Sequence, residues 1–203
     1  MDIFVDEQPY LGATDDLQTV GDLAGRISRD SGDPRRLVVG LCCDGQLVEP
    51  DRLETVLASP LTSYQRIDLQ TQPLAALLHG ALEQAAALAA DVRASRDRAA
   101  DLLAEGQLQP AMQHLQRFFE AWGKVHESIA VCAEALGCGL DDLAVGDRGL
   151  AEVLDSLKTQ LADLREALLS QDLVVVGDIL RYEMNQPLDD LDALLAGLRS
   201  QAG

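Results

Sequence analysis

The stretch Tyr64-Gln65-Arg66-Ile67-Asp68-Leu69-Gln70-Thr71-Gln72-Pro73-Leu74-Ala75-Ala76-Leu77-Leu78 decides the fold class, because the spacing of its apolar residues changes period part-way along. Up to Leu69, residues alternate as in a strand. Gln65, Ile67 and Leu69 share one face, and Tyr64, Arg66 and Asp68 share the other. From Pro73 onward Leu74, Leu77, Leu78, Ala81 and Leu82 recur at helical spacing. Pro73 has no amide N–H with which to prolong a strand, and its missing donor costs nothing in the first turn of a helix. The chain is therefore expected to be α+β, with one domain over residues 1–72 and a helical domain over residues 73–203.

Working back from that boundary, the N-terminal part is a series of short runs separated by turn residues. Asp2–Val5 alternates as a strand, Asp6-Glu7-Gln8-Pro9 is expected to turn, and Tyr10-Leu11 to return as a second strand. Thr19 stands three residues before Asp22, the spacing of a reciprocal helix cap, and opens a helix with Val20, Leu23, Ala24 and Ile27 on one face. Ser31-Gly32-Asp33-Pro34 stops it. Leu37–Cys43 is the strongest strand, and Asp44-Gly45 is a two-residue hairpin turn into Gln46–Val48. Asp51–Leu57 reads as a short helix before the last strand. This order of strand, strand, helix, strand, strand, short helix, strand resembles the β-grasp fold of ubiquitin-like domains and of small sulfur-carrier proteins. Carriers of that kind end in Gly-Gly, whereas here the segment ends Thr71-Gln72-Pro73 and the chain ends Gln201-Ala202-Gly203, so carrier chemistry is not expected.

Forward from Pro73, apolar spacing traces four helices. The first runs to about Glu105, with a polar stretch at Arg93–Arg98 where it could break, and Gly106 closes it. The second opens at Pro110 and carries Met112, Leu115, Phe118, Phe119, Trp122, Val125, Ile129, Cys132 and Leu136, ending at Gly137-Cys138-Gly139. After a linker over Leu140–Gly149, the third shows a heptad-like stripe of Leu150, Val153, Leu154, Leu157, Leu161, Leu164 and Leu168. Asp172 caps the fourth, which is expected to kink at Pro187. Short turns between these helices predict an antiparallel four-helix bundle. Asp101-Leu102-Leu103 before Gly106 and Ala167-Leu168-Leu169 before Asp172 form a faint internal echo.

Composition narrows the function classes. The 203 residues carry 16 Lys and Arg against 34 Asp and Glu, a formal charge of −18, with 47% hydrophobic and 3% aromatic residues. Both parts are acidic, so a nucleic-acid or anionic membrane surface is not expected. No apolar run reaches the roughly 18–20 residues that span a bilayer. Met1–Asp6 lacks the basic and apolar regions of a signal peptide, and the four cysteines show no repeated spacing. A cytoplasmic setting with reduced thiols is the expectation.

Signals for chemistry are sparse. His114 and His126 stand twelve residues apart on one helix, too far to share a metal, and no phosphate-binding or dinucleotide motif occurs, so neither metal nor cofactor is expected. Cys42 and Cys43 are adjacent on a strand and point to opposite faces, one of them toward the core. The carboxylate runs Asp15-Asp16, Asp141-Asp142 and Asp189-Asp190 with Asp192 read as solvated helix and loop faces rather than acid–base pairs. The segment Asp178–Leu188, with Tyr182-Glu183 ahead of Pro187, resembles a helix of uncharacterised bacterial proteins that carry no function to transfer.

The expectation is a non-enzymatic, protein-binding adaptor or chaperone-like protein of the bacterial cytoplasm, using apolar helix faces to hold a partner segment. In size, charge and class it resembles bacterial secretion and flagellar export chaperones. The candidate contact residues are Phe118, Phe119 and Trp122, because aromatics are scarce elsewhere, with Tyr182 and Glu183 beside the kink. An aromatic trio at that spacing also suits a core. The competing readings are a homodimer zipped through Leu150–Leu168 and an enzyme with a site between the domains.

Overall fold

A computed structural model of the chain describes residues 1–30, 32, 35–137, 144–145 and 148–202, with side chains left aside at 144–145, 148–152, 154 and 157. The chain is α+β, and it divides into two compact units, Met1–Leu77 and Leu78–Gly203.

The first unit holds a mixed five-stranded sheet. Its strands are β1 (Asp2–Val5), β2 (Gln8–Pro9), β3 (Arg36–Cys43), β4 (Gln46–Leu47) and β5 (Arg66–Pro73), in the order β2-β1-β5-β3-β4. β1 runs parallel to β5 from Asp2 opposite Arg66 to Val5 opposite Leu69, and the other pairings are antiparallel. Helices α1 (Val20–Asp30) and α2 (Pro50–Leu57) complete the unit. Alternation on β5 works as the sequence implies: Ile67 and Leu69 are buried with Val20, Leu23 and Ile27 of α1, Ile3, Leu41, Cys43, Val56 and Leu61.

The cap at α1 is reciprocal. Asp22 N–H donates to Thr19 Oγ1 at 3.1 Å, and Thr19 N–H donates to Asp22 Oδ2 at 2.9 Å. The first turn is tighter than expected. Asp6 and Glu7 alone form it, with φ of 48° and 68°, so the return strand is Gln8–Pro9 and not Tyr10-Leu11. A two-residue turn with left-handed backbone matches the twist of the strands it joins. Pro9 is tolerated because β2 lies at the sheet edge.

The boundary strand also reaches further than alternation implied. β5 continues through Pro73, opposite Arg36, and the next amide, Leu74 N–H, donates to Arg35 C=O at 2.7 Å as the helix begins. Asp6 secures this end: its carboxylate accepts from Thr71 N–H at 2.7 Å and Thr71 Oγ1–H at 2.6 Å. Arg36 Nε in turn donates to Thr71 Oγ1 at 2.8 Å.

The remaining elements are α3 (Leu74–Ala104), α4 (Leu108–Leu136), a short pair β6 (Ala144–Val145) and β7 (Arg148–Gly149), α5 (Leu150–Leu169), α6 (Leu173–Asp178), a π-helical turn over Ile179–Glu183, and α7 (Asn185–Ala202). In the second unit, Leu82, Leu102, Leu115, Phe118, Leu164, Leu180, Met184 and Leu188 are fully buried. Of the heptad-like stripe, Val153 and Leu164 are buried and Leu161 and Leu168 half-buried; the side chains of Leu150, Leu154 and Leu157 lie outside the described residues, as do Cys138 and Gly139.

α3 passes through Arg93–Arg98 without a break, and Arg93 and Arg96 find partners on other elements. Arg93 Nη2 donates to Asp189 at 2.9 Å and to Asp192 at 2.6 Å. Arg96 is buried, and its Nη1 donates to Leu180 C=O at 3.1 Å and to Asn185 Oδ1 at 2.6 Å. The Asp189–Asp192 cluster is accordingly no plain solvated face. Asp189 and Asp192 hold Arg93, while Asp190 is buried and accepts from Gln186 Nε2 at 2.9 Å.

The distortion expected at Pro187 falls one turn earlier, as the wide turn closed by Met184 N–H to Ile179 C=O at 3.0 Å. Pro187 cannot donate to Glu183 C=O, and carbonyls freed in such a segment need other donors. Asn185 Nδ2 donates to Arg181 and Tyr182 C=O, and Arg96 takes Leu180 C=O.

The internal echo is real in the turns, one residue out of the alignment the sequence offers. Gly106 N–H donates to Leu103 C=O and Gln107 N–H to Leu102 C=O. The α5–α6 turn repeats this with Gln171 N–H to Leu168 C=O and Asp172 N–H to Ala167 C=O. Both are Schellman closures, with Gly106 at φ 74° and Gln171 at φ 58° in the left-handed position.

Candidate functional site

The aromatic residues of α4 split by helical position. Phe118 and Trp122 lie on the buried stripe with Leu115, Val125 and Ile129, at 0% and 6% exposure, whereas Phe119, one position round, is 40% exposed. The rings form a continuous set: Phe118 and Phe119 meet edge to face at 5.1 Å, Phe118 and Trp122 at 5.5 Å, and Trp122 stacks on His126 at 5.6 Å. Burial there pushes the His126 imidazole below its ordinary 6.5. A partner on this face would therefore meet Phe119, with Phe118 and Trp122 packed beneath.

Phe119 does not stand alone. Leu108 and Met112 are exposed on the same flank of α4, at i, i+4 and i+11. Met112, Leu115 and Phe119, with Leu168 of α5, line a cavity of about 460 Å³ whose remaining walls are Gln109, Gln113 and Gln116. Leu108 and Met112 are the members that sequence reasoning missed as surface groups. Their periodicity belongs equally to a core stripe, and only packing separates the two.

Tyr182 is 66% exposed and Glu183 is exposed as well. Glu183 joins Asp163, Glu166 and Asp172 around a separate cleft of about 350 Å³ between α5 and α6, with Ala167, Val175 and Ile179 as its apolar lining. A more polar cleft between α3 and α4, about 390 Å³, is lined by Asp91, Ser95, His114, Arg117, Glu120 and Lys124 among others. In the first unit an apolar groove of about 600 Å³ runs between α1, β3 and α2, with Leu37, Val39, Leu47 and Leu53 at its rim.

Among the described residues Cys42, Cys43 and Cys132 are free thiols. Cys43 is the core-facing member of its pair, and burial pushes it up to about 11. No three His, Cys, Asp or Glu side chains among the described residues stand close enough to hold a metal ion. Nor is any described helix long and apolar enough to cross a membrane.

A family model for a domain of unknown function, DUF8042, matches residues 81–192, more than half of the chain. The chain belongs to that family. No curated protein and no solved structure matches it. The DUF8042 region begins inside α3 and ends inside α7, so it contains the α4 row, the Arg93 and Arg96 ties, the π-helical turn and the acidic cleft. The five-stranded sheet lies outside the matched region.

Proposed function

We propose that the chain is a non-enzymatic protein-binding adaptor of the bacterial cytoplasm, built from a β-grasp unit and an antiparallel four-helix bundle, that holds an apolar segment of a partner on α4. The observation that carries this reading is the exposed row Leu108, Met112 and Phe119 beside the cavity floored by Leu115 and Leu168. Exposed apolar side chains aligned on one helix, next to a cavity with glutamine walls, suit a groove that takes the apolar face of another segment. The sheet order β2-β1-β5-β3-β4, with its parallel central pair, supports the β-grasp part of the reading. The free thiols suit a reducing compartment.

The test is affinity capture from the native cell with wild-type chain and a Phe119→Ser variant in parallel. The expected result is a stoichiometric partner recovered by the wild type and depleted by the variant, whose circular dichroism matches wild type. Equal recovery by both removes α4 as the contact. Recovery of the chain alone, sedimenting as a dimer, favours self-association through the helices.

A further inference from the structure

The α5–α6 turn combines exposed apolar side chains with an acidic cleft. Leu169 and Val174 are each 74% exposed, and Leu173 and Val175 beside them are exposed as well. Among the described residues, the adjoining cleft is lined by four carboxylates, Asp163, Glu166, Asp172 and Glu183, and by no Lys or Arg. Asp172 is engaged only as the cap of α6, accepting from Val175 N–H at 3.1 Å, and none of the four has an ion-pair partner among the described residues. Other acidic side chains of the unit do have cationic partners: Asp101 pairs with Arg181 at 2.8 Å, and Asp189 and Asp192 pair with Arg93.

Two physical facts select the occupant. Exposed aliphatic side chains grouped at one turn cost hydration free energy that a covering apolar surface recovers. Unpaired like charges raise a local negative potential that draws cations and repels acidic surfaces. A metal ion is a poor match, because no three of these groups approach closely enough to ligate one. The four carboxylates share the cleft lining with Ala167, Val175 and Ile179, which suits several cations spaced along a chain that also carries apolar side chains.

We infer that the α5–α6 turn is a docking surface for a basic amphipathic segment of a partner protein, its aliphatic side chains meeting Leu173, Val174 and Val175 and its Lys or Arg side chains meeting Asp163, Glu166 and Glu183. The inference rests on the adaptor reading but concerns a different surface from the α4 row.

The probe is a fluorescein-labelled fourteen-residue peptide of Leu and Lys in amphipathic helical order, titrated into the full chain and followed by anisotropy. A Leu and Glu twin is the control. The Lys peptide is expected to bind, and the Glu twin at least about tenfold more weakly. The triple variant Asp163→Asn, Glu166→Gln, Glu183→Gln is expected to lose about tenfold in affinity, and Val174→Ser several-fold, with unchanged circular dichroism. Asp51→Asn with Glu54→Gln, two exposed carboxylates of α2, serves as the charge control and is expected to leave binding unchanged. Equal loss in both charge variants would mean diffuse attraction and overturn the inference, as would no binding at all. Self-association abolished by the triple variant would also overturn it, naming a second copy as the occupant. A natural partner lost by Phe119→Ser but unaffected by the triple variant would overturn it too, while leaving the adaptor reading standing.

Discussion

At the scale of single residues, two side chains sit where their chemistry is under strain, and each gives a measurable expectation. Gln171 holds the left-handed position that Gly106 holds in the equivalent turn. A residue with a Cβ is disfavoured there by roughly 1–2 kcal/mol relative to right-handed backbone, a penalty glycine escapes. Gln171→Gly is expected to raise stability by about 0.5–1 kcal/mol, read as a higher urea midpoint at unchanged slope; part of the relief is offset by glycine's greater freedom when unfolded. His126 is the second case. Packed on Trp122 and desolvated, it takes a proton less readily in the fold than the ordinary 6.5. Above that value both states are neutral, and its contribution is fully present. As pH falls below it the unfolded chain protonates first, so stability declines until pH passes through the lower folded value. His126→Gln is therefore expected to flatten the loss of stability between about pH 7 and pH 5, measured by denaturant titration at each pH.

At the scale of elements, α4 separates structure from contact by one position. Trp122→Ala removes a ring that is 6% exposed and in contact with Phe118 and His126. It is expected to cost about 3–5 kcal/mol, visible as a lowered thermal midpoint. Phe119→Ser, at the margin, is expected to cost much less and to act on binding. The π-helical turn gives the second element-scale expectation. Arg96 reaches it from α3 as a buried cation, donating to Leu180 C=O and Asn185. Arg96→Met keeps the bulk of the stem but strands that carbonyl, so a loss of about 2–3 kcal/mol is expected, together with faster amide exchange from Ile179 to Met184.

At the scale of the whole molecule, much was legible because local rules and the fold agree. The change of period around Pro73 marks the passage from sheet to helix, since a strand and a helix need different spacings to bury one face. The Thr19 cap, the Asp44-Gly45 turn, the Asp172 cap and the glycine ends at Gly106 and Gly137 all depend on neighbours a few residues away. Local chemistry of that range can be read from the chain alone. What misled was local as well as long-range. Asp6-Glu7 turns without glycine, and that moved the second strand.

The rest needed the tertiary structure. Nothing in Arg93, Arg96 or Asp190 says that the first ties α3 to α7 and the second to the π-helical turn, some ninety residues on, or that the aspartate is buried. Nor could spacing tell Phe119 from Phe118, or show that Leu108 and Met112 stay exposed while Leu115 does not. By itself, then, the sequence determined the class, the passage from strand to helix beside Pro73, the caps and most turns of this chain, because these follow from backbone geometry and side chains within a turn's reach. Which apolar residues remain on the surface, which charges find partners, and hence where a partner can dock were decided only when distant helices packed, since burial and pairing belong to the neighbours a side chain meets and not to its place in the chain.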